Sequence, residues 1–199
     1  MKTLIILNGE CKSTSFLKQF VSQFDRIVCA DGGYLHAVSA KAKVNAVVGD
    51  FDSSDFPDNV EYIVYPKEKD LSDAEIAIEY AVEKYGKDIV MTCSLGKRLD
   101  HQLFNVFLLT KYPFLKIEED DVLAFMCGKY EEFSKYKNLT VSFLPVGDAN
   151  VTLENFKYNI NSRNVKTGET VTLSNVALKN ATVRINSGKV IAVINKTNV

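Results

Sequence analysis

A chain of 199 residues with 24 Lys plus Arg against 25 Asp plus Glu carries a formal charge of −1. That balance argues against nucleic acid as a main partner, because binding a phosphate backbone calls for a basic surface. Hydrophobic residues make up 46% of the chain, enough for a real core, and the length admits one domain or two small ones.

The opening run, Met1 to Leu7, is apolar but breaks at Asn8-Gly9-Glu10. It is too short for a signal-peptide core and lacks a small-residue cleavage site. No later apolar run approaches the roughly 20 residues that cross a bilayer. The expectation is a cytoplasmic protein that engages no membrane. Cys11, Cys29, Cys93 and Cys127 are scattered, without zinc or redox spacing. Cys29 and Cys93 fall in predicted strands, where a reduced cysteine is a small buried hydrophobe.

In chain order, Thr3 to Leu7 and Arg26 to Ala30 read as strands, with an amphipathic helix from Ser13 to Phe24 between them. A helix follows at about Tyr34 to Ala42, then strands at Ala46 to Val48 and Glu61 to Tyr65. The pattern continues with a helix from Ser72 to Tyr85, a strand from Ile89 to Cys93 and a helix from Asp100 to Tyr112. Short apolar strands alternating with helices of this length imply βαβ units and a mainly parallel, Rossmann-like sheet. Ser72 followed three residues later by Glu75 is a capping box, which puts Asp73 in the first helical turn.

After Cys127 the pattern becomes β-rich. Leu139 to Leu144, Ala149 to Leu153, Thr170 to Leu173, Ala181 to Ile185 and Val190 to Ile194 are short strand-like runs. Turn signals at Pro145-Val146-Gly147-Asp148, Lys166-Thr167-Gly168 and Asn186-Ser187-Gly188 separate them. Ile185 to Ile194 reads as a hairpin closed around Ser187-Gly188. The fold expected is therefore α/β over residues 1–127 and an all-β sandwich over 128–199.

The aspartates carry the chemical signal. Asp31 follows the strand ending at Ala30, and Asp50 and Asp52 follow the one ending at Val48. Asp70 and Asp73 flank the start of the Ser72 helix, and Asp100 lies between the Cys93 strand end and the next helix. In an open parallel sheet, ligands bind outside the carboxyl ends of the strands, so these side chains converge on one rim. Such a concentration of negative charge suits a hard divalent cation, which takes a few carboxylates plus substrate phosphates. Phosphoryl or nucleotidyl transfer is the chemistry implied.

Plainer readings stand beside this one. Asp31-Gly32-Gly33 is also a tight-turn sequence. Asp73 and Asp100 also suit helix N-termini. Arg98 suits bidentate phosphate contact, but equally an ion pair with one of the aspartates. His101 and Asn105 share a helix face, as packing residues also do. Gly49-Asp50-Phe51-Asp52-Ser53 is the most specific element, since two carboxylates two residues apart in an extended segment point the same way.

Ala30-Asp31-Gly32-Gly33, Gly49-Asp50-Phe51-Asp52-Ser53, Lys69-Asp70-Leu71-Ser72-Asp73 and Gly96-Lys97-Arg98-Leu99-Asp100-His101 occur in that order, with Asn105 continuing the last. In this the chain resembles the thiamine pyrophosphokinases. The β-rich tail, with Val141 to Gly147 and Ser174-Asn175, is similar to their thiamine-binding domain. The resemblance implies a catalytic α/β domain, a C-terminal β-sandwich and a homodimer with active sites between domains of both subunits. It implies that Asp50, Asp52, Asp70, Asp73 and Asp100 hold Mg²⁺ and the phosphates of ATP. It also implies that Asp31, Gly32, Gly33, Arg98, His101 and Asn105 line the nucleotide side, and that Ser174 and Asn175 face thiamine.

The chain departs from that family where Lys97 stands in place of a usual glycine and Ser72 in place of a usual threonine. Asn155-Phe156 replaces a common glycine, Val176 replaces a common acidic residue, and no Trp is present to stack on thiamine. A metal-dependent phosphate-ester hydrolase and a non-catalytic thiamine- or nucleotide-binding protein are the rival readings.

Overall fold

The computed structural model describes residues 1–49, 60–64 and 70–197 and divides the chain into two compact units. The first comprises Met1–Leu108 with Ile117–Asp120, the second Leu109–Lys116 with Asp121–Val199. Asp50, Phe51, Asp52 and Ser53 of one motif and Lys69 of another lie outside the described residues.

In the first unit the strands are β1 (Thr3–Ile6), β2 (Arg26–Ala30), β3 (Ala46–Gly49), β4 (Glu61–Val64), β5 (Ile89–Thr92) and β6 (Lys116–Glu118). They lie in the order β6-β5-β1-β2-β3-β4. The β1–β2, β1–β5, β2–β3 and β3–β4 pairings are all parallel, as the alternating pattern implies.

The helices are α1 (Thr14–Phe20), extended by a 3₁₀ turn over Val21–Gln23, α2 (Gly33–Ser39), α3 (Asp73–Tyr85) and α4 (Leu99–Lys111). Strand periodicity divides the buried residues between two faces. Leu4, Ile6, Cys29 and Val47 pack with Leu17 and Phe20 of α1 and Ala37 of α2. Ile5, Val28 and Val48 are equally buried but lie outside that cluster. Here α3 packs across β1, β2, β3 and β5, presenting the buried Ile76, Ala77, Ile78 and Ala81. With both faces covered, β1, β2, β3 and β5 are continuous apolar runs rather than alternating ones.

The capping box at the start of α3 is present as expected. The Glu75 backbone N–H donates to Ser72 Oγ at 3.3 Å, and the Ser72 backbone N–H donates to Glu75 Oε2 at 3.1 Å.

The second unit contains β7 (Val122–Met126), β8 (Tyr130–Glu132), β9 (Thr140–Phe156), β10 (Ile160–Lys166) and β11 (Asn175–Asn195). Strand β7, which the sequence pattern grouped with the α/β part, belongs here. All pairings are antiparallel: β10 with β9, and β11 with β7, β8 and β9.

Three expectations are corrected, the first being the turn at Pro145 to Asp148, through which β9 runs unbroken. Ile185 to Ile194 is not a hairpin. Both flanks of Ser187-Gly188 pair with β9, Ile185 with Val151 and Val190 with Pro145, and the register shifts on either side of Ser187. Those residues form a bulge that bends one long strand instead of reversing it. Gly188 is required there: its φ is +81°, and an added Cβ would stand 2.3 Å from the Asp148 carbonyl oxygen. Nor is Thr170 to Leu173 a strand. It forms turns, with Thr172 Oγ1 donating to the Phe143 carbonyl oxygen at 2.5 Å.

Because β9 and β11 both bend, they line two sides of one core. The core centres on Phe133, Phe143 and Phe156, with the Phe133 ring 5.3 Å from that of Phe143 and 5.9 Å from that of Phe156. Phe133→Ala is expected to destabilise this unit by about 3–5 kcal/mol, measured by urea unfolding followed by tyrosine fluorescence. A loss below about 1 kcal/mol would mean that the core collapses onto the vacated space.

Candidate active site

The strand order makes β1 the neighbour of both β2 and β5. The chain proceeds outward from β1 through β2, β3 and β4, then crosses back to β5 on the other side of β1. The chain order thus reverses at β1, the point in an α/β sheet where a crevice at the carboxyl ends of the strands binds ligands.

A cleft of about 740 Å³ occupies this place. Asn8 and Gly9 line it from the β1 loop, Asp31 from the β2 loop, Asp73 from the start of α3, and Lys97 and Arg98 from the β5 loop. Asp100, His101 and Asn105 of α4 complete the wall. The predicted residues Asp31, Asp73, Asp100, Arg98, His101 and Asn105 thus share one cleft. Asp70 is exposed and is not among the lining residues, nor are Gly32 and Gly33.

The two glycines act through the backbone. A Cβ on Gly33 would stand 2.1 Å from the Ile6 carbonyl oxygen, so only glycine lets the start of α2 lie this close to β1. A Cβ on Gly32 would meet the Asn8 side-chain nitrogen at 2.5 Å. Asp31, just before them, has φ +46° and donates its N–H to the Val48 carbonyl oxygen at 2.8 Å. The turn that Asp31-Gly32-Gly33 suggests therefore exists, and it delivers a carboxylate to the cleft as well.

The β5 loop turns through three left-handed residues. Cys93, Gly96 and Lys97 have φ of +51°, +78° and +59°. For a residue with a Cβ this region costs about 1–2 kcal/mol, so other bonds must hold the loop. The Gly9 N–H donates to the Cys93 carbonyl at 2.7 Å and the Glu10 N–H to the Leu95 carbonyl at 2.8 Å. Lys97 Nζ donates to the Asn8 carbonyl oxygen at 2.8 Å and to Asn8 Oδ1 at 3.1 Å. The lysine that replaces a usual glycine is thus tied to the β1 loop, not extended toward a phosphate.

Asn105 is buried, and its Nδ2 donates to the Ser94 carbonyl oxygen at 2.7 Å, fixing α4 to the same loop. One contributor escapes sequence reasoning altogether. Glu119 is only 7% exposed and accepts hydrogen bonds from Thr92, Cys93 and Ser94. Burial pushes its carboxyl above the usual range, and the bonds from Ser94 and Cys93 pull it back. It lies in the acidic run Glu118-Glu119-Asp120-Asp121, where residue type alone cannot single it out.

Arg98 and Asp100 form an ion pair, Nε to Oδ1 at 3.1 Å and Nη2 to Oδ2 at 2.5 Å. The side-chain hydrogen bond from Arg98 is the main reason that the Asp100 carboxyl lies below the ordinary aspartate range. The His101 N–H also donates to Asp100 Oδ1, at 3.0 Å. Asp100 stands in the first turn of α4, so its helix-terminus role and its place in the cleft coexist.

Among the described residues no three His, Cys, Asp or Glu side chains stand close enough together to hold a metal ion. The cleft's acidic donors are all carboxylate oxygens, which fits a hard cation that completes its shell with water and phosphate.

In the second unit Ser174 is exposed, with φ +54° and its N–H donating to Ser142 Oγ at 3.0 Å. Asn175 is 2% exposed. Its Nδ2 donates to the Tyr158 carbonyl oxygen at 2.7 Å, and its Oδ1 accepts from the Tyr158 and Val176 backbone N–H groups at 3.0 and 2.9 Å. Its amide is engaged at both ends in holding the segment around Tyr158.

The fold and cleft define the class: a parallel α/β unit with a carboxylate-lined crevice at its switch point, in one chain with an antiparallel β unit. A family model described as the thiamin pyrophosphokinase catalytic domain matches residues 17–119, and one described as the vitamin B1 binding domain of the same protein matches residues 130–191. The chain belongs to the thiamin pyrophosphokinase family.

Thiamine pyrophosphokinase of Bacillus subtilis is 31% identical over 120 residues, an alignment covering 56% of each chain, so little more than half of that curated relative is spanned. A crystal structure of thiamine pyrophosphokinase from Bacillus subtilis shares the fold, with a TM-score of 0.87, 21% identity and all of both chains covered. One from Geobacillus thermodenitrificans gives a TM-score of 0.86 at 25% identity, covering 100% of this chain and 99% of that one.

The ion pair makes a direct prediction. Followed by carboxyl-carbon NMR, Asp100 should stay ionised to a lower pH in the wild type than in Arg98→Ala. Its titration should move up toward the ordinary range in the variant. Identical titrations would mean that the guanidinium does not hold the carboxylate in solution.

Proposed function

We propose that this chain transfers the pyrophosphoryl group of ATP to the hydroxyl of thiamine, giving thiamine pyrophosphate and AMP, with Mg²⁺ as its metal. The observation that carries the reading is the match of both the catalytic and the vitamin B1 binding models to one chain. The carboxylate-lined cleft supports it.

In the reaction the thiamine hydroxyl oxygen attacks the β-phosphorus in line. The bond from that phosphorus to the oxygen bridging it to the α-phosphorus breaks, and AMP leaves with that oxygen. The hydroxyl proton passes to solvent or to a neighbouring carboxylate. A divalent cation, where bound, would supply positive charge to offset the charge that develops.

In this reading Asp50, Asp52, Asp70, Asp73 and Asp100 would hold the cation. Arg98 is exposed and planar, suited to bidentate phosphate contact, and its pairing with Asp100 keeps the guanidinium at the cleft until nucleotide competes for it. Asp31 and His101 would line the nucleotide side directly. Gly32, Gly33 and Asn105 would serve it by shaping the backbone around it. Ser174 offers an exposed hydroxyl to thiamine, with Asn175 holding the neighbouring chain. The catalysis would come chiefly from positioning and electrostatics.

Two further parts of the reading concern context. No helix among the described residues is long and apolar enough to cross a membrane, and we take the chain to act in the cytoplasm. We also take it to act as a homodimer, as the family resemblance implies. Leu99, Leu103 and Phe107 support this: they follow one another at i, i+4 spacing along α4 and are 67%, 52% and 59% exposed.

Purified protein given ATP, Mg²⁺ and thiamine should form AMP and thiamine pyrophosphate, and omission of thiamine or addition of EDTA should abolish both. Phosphate release from simple esters without thiamine would favour a hydrolase, and ligand binding without AMP would favour a sensor. Asp100→Asn should lower turnover by about 10²-fold or more at an unchanged melting temperature. Wild-type turnover in that variant would remove Asp100 from the metal site. In sedimentation, Leu103→Glu should shift a dimer toward monomer, and an unchanged dimer would place the interface elsewhere.

A further inference from the structure

We infer that Glu119 is a positioning residue for the β5 loop, holding the segment that carries Arg98 and Asp100 in the shape needed to receive nucleotide phosphates. The inference rests on the proposed ATP-dependent reaction for its kinetic test, but its structural content is independent of that reaction.

Glu119 Oε1 accepts from the Ser94 backbone N–H at 2.8 Å and from Ser94 Oγ at 2.9 Å. Its Oε2 accepts from the Cys93 backbone N–H at 3.0 Å and from Thr92 Oγ1 at 3.3 Å. The carboxylate therefore grips two successive backbone N–H groups, one with each oxygen, at the point where β5 ends and Cys93 turns to φ +51°. Regular parallel pairing to β1 stops at Thr92, just before these two donors. Ser94 is then held from its other side by Asn105 of α4, which donates to its carbonyl oxygen at 2.7 Å. The path from Glu119 through Ser94 and Asn105 reaches the helix that bears Asp100 and His101.

The chemistry of this grip requires a carboxylate. Backbone N–H groups can only donate, and each faces a different oxygen. Glutamine has the same shape but only one acceptor oxygen. In Glu119→Gln the amide nitrogen must face either the Cys93 or the Ser94 N–H, leaving a buried donor unpaired. Aspartate keeps two acceptor oxygens on a shorter stem. A packing role would rank glutamine above aspartate, whereas a two-oxygen clamp ranks aspartate above glutamine.

The test compares Glu119→Gln and Glu119→Asp with the wild type in two assays. In amide hydrogen exchange, protection of Cys93 and Ser94 is expected to fall at least tenfold in the glutamine variant, with β1 and β2 unchanged. In kinetics, the glutamine variant is expected to show a KM for ATP raised at least tenfold while the KM for thiamine stays within twofold, with the aspartate variant between it and the wild type. Wild-type protection and wild-type KM for ATP in the glutamine variant would overturn the inference. So would the reverse ranking of the two variants. Should the glutamine variant fail to fold, the aspartate variant carries the test: an unchanged exchange pattern and KM would overturn the inference, and a partial effect on both would support it. If the wild type forms no AMP, the proposed function fails while the exchange comparison still decides the role of Glu119.

Discussion

The first unit depends on one constraint, the parallel pairing of β1 with β2 on one side and β5 on the other. Once both neighbours run parallel to β1, all three strands end on the same edge, and the chain order reverses there. A crevice results without any side chain being asked to make it. What sequence must then supply is backbone able to turn sharply there. Gly33 does this by letting α2 start against the Ile6 carbonyl. The β5 loop does it through left-handed residues at Cys93, Gly96 and Lys97. The rim is rigid because these turns are tied to one another, by Gly9 to Cys93, Glu10 to Leu95 and Lys97 to Asn8.

The acidity of this rim is tolerable for a physical reason. Asp70 and Asp100 are exposed, and two unit charges in water interact by only about 1 kcal/mol at 4 Å. Burial in a medium of lower dielectric would strengthen that repulsion several-fold. Glu119 presents the opposite case. It is buried, and it is tolerated because four donors surround it. The exposed carboxylates suit chemistry, and the buried one suits architecture.

This difference explains what could be read from the sequence. Strands β1, β2, β3 and β5 and the four helices are legible because burial on both faces leaves continuous apolar runs between amphipathic ones, and the Ser72–Glu75 box marks the start of α3 to the residue. The cleft aspartates are legible because each follows a strand end or opens a helix. Glu119 is not, because four acidic residues stand in a row and only the pairing of β6 beside β5 selects one of them. Asn105 shows a related limit: a polar residue on a helix face can line a cleft or bond the loop beneath it, and spacing does not reveal that this one does both. In the second unit, local turn signals mislead because Ser187-Gly188 and Gly147-Asp148 bend strands whose pairing is set by partners far away in sequence.

Lys97 shows how such local and distant demands are reconciled in one residue. Its φ of +59° is one that glycine adopts freely and lysine does not. A lysine here loses conformational ease but brings a long stem and an ammonium group. The stem reaches Asn8, whose backbone carbonyl and side-chain oxygen both accept from it. Two hydrogen bonds from a charged donor, each stronger than a neutral one, offset a left-handed penalty of about 1–2 kcal/mol. The substitution also joins the β1 and β5 loops across the switch point, which glycine could not do. The loop therefore keeps its shape with a different residue, and Arg98, the next in the chain, stays at the cleft because its neighbour is anchored.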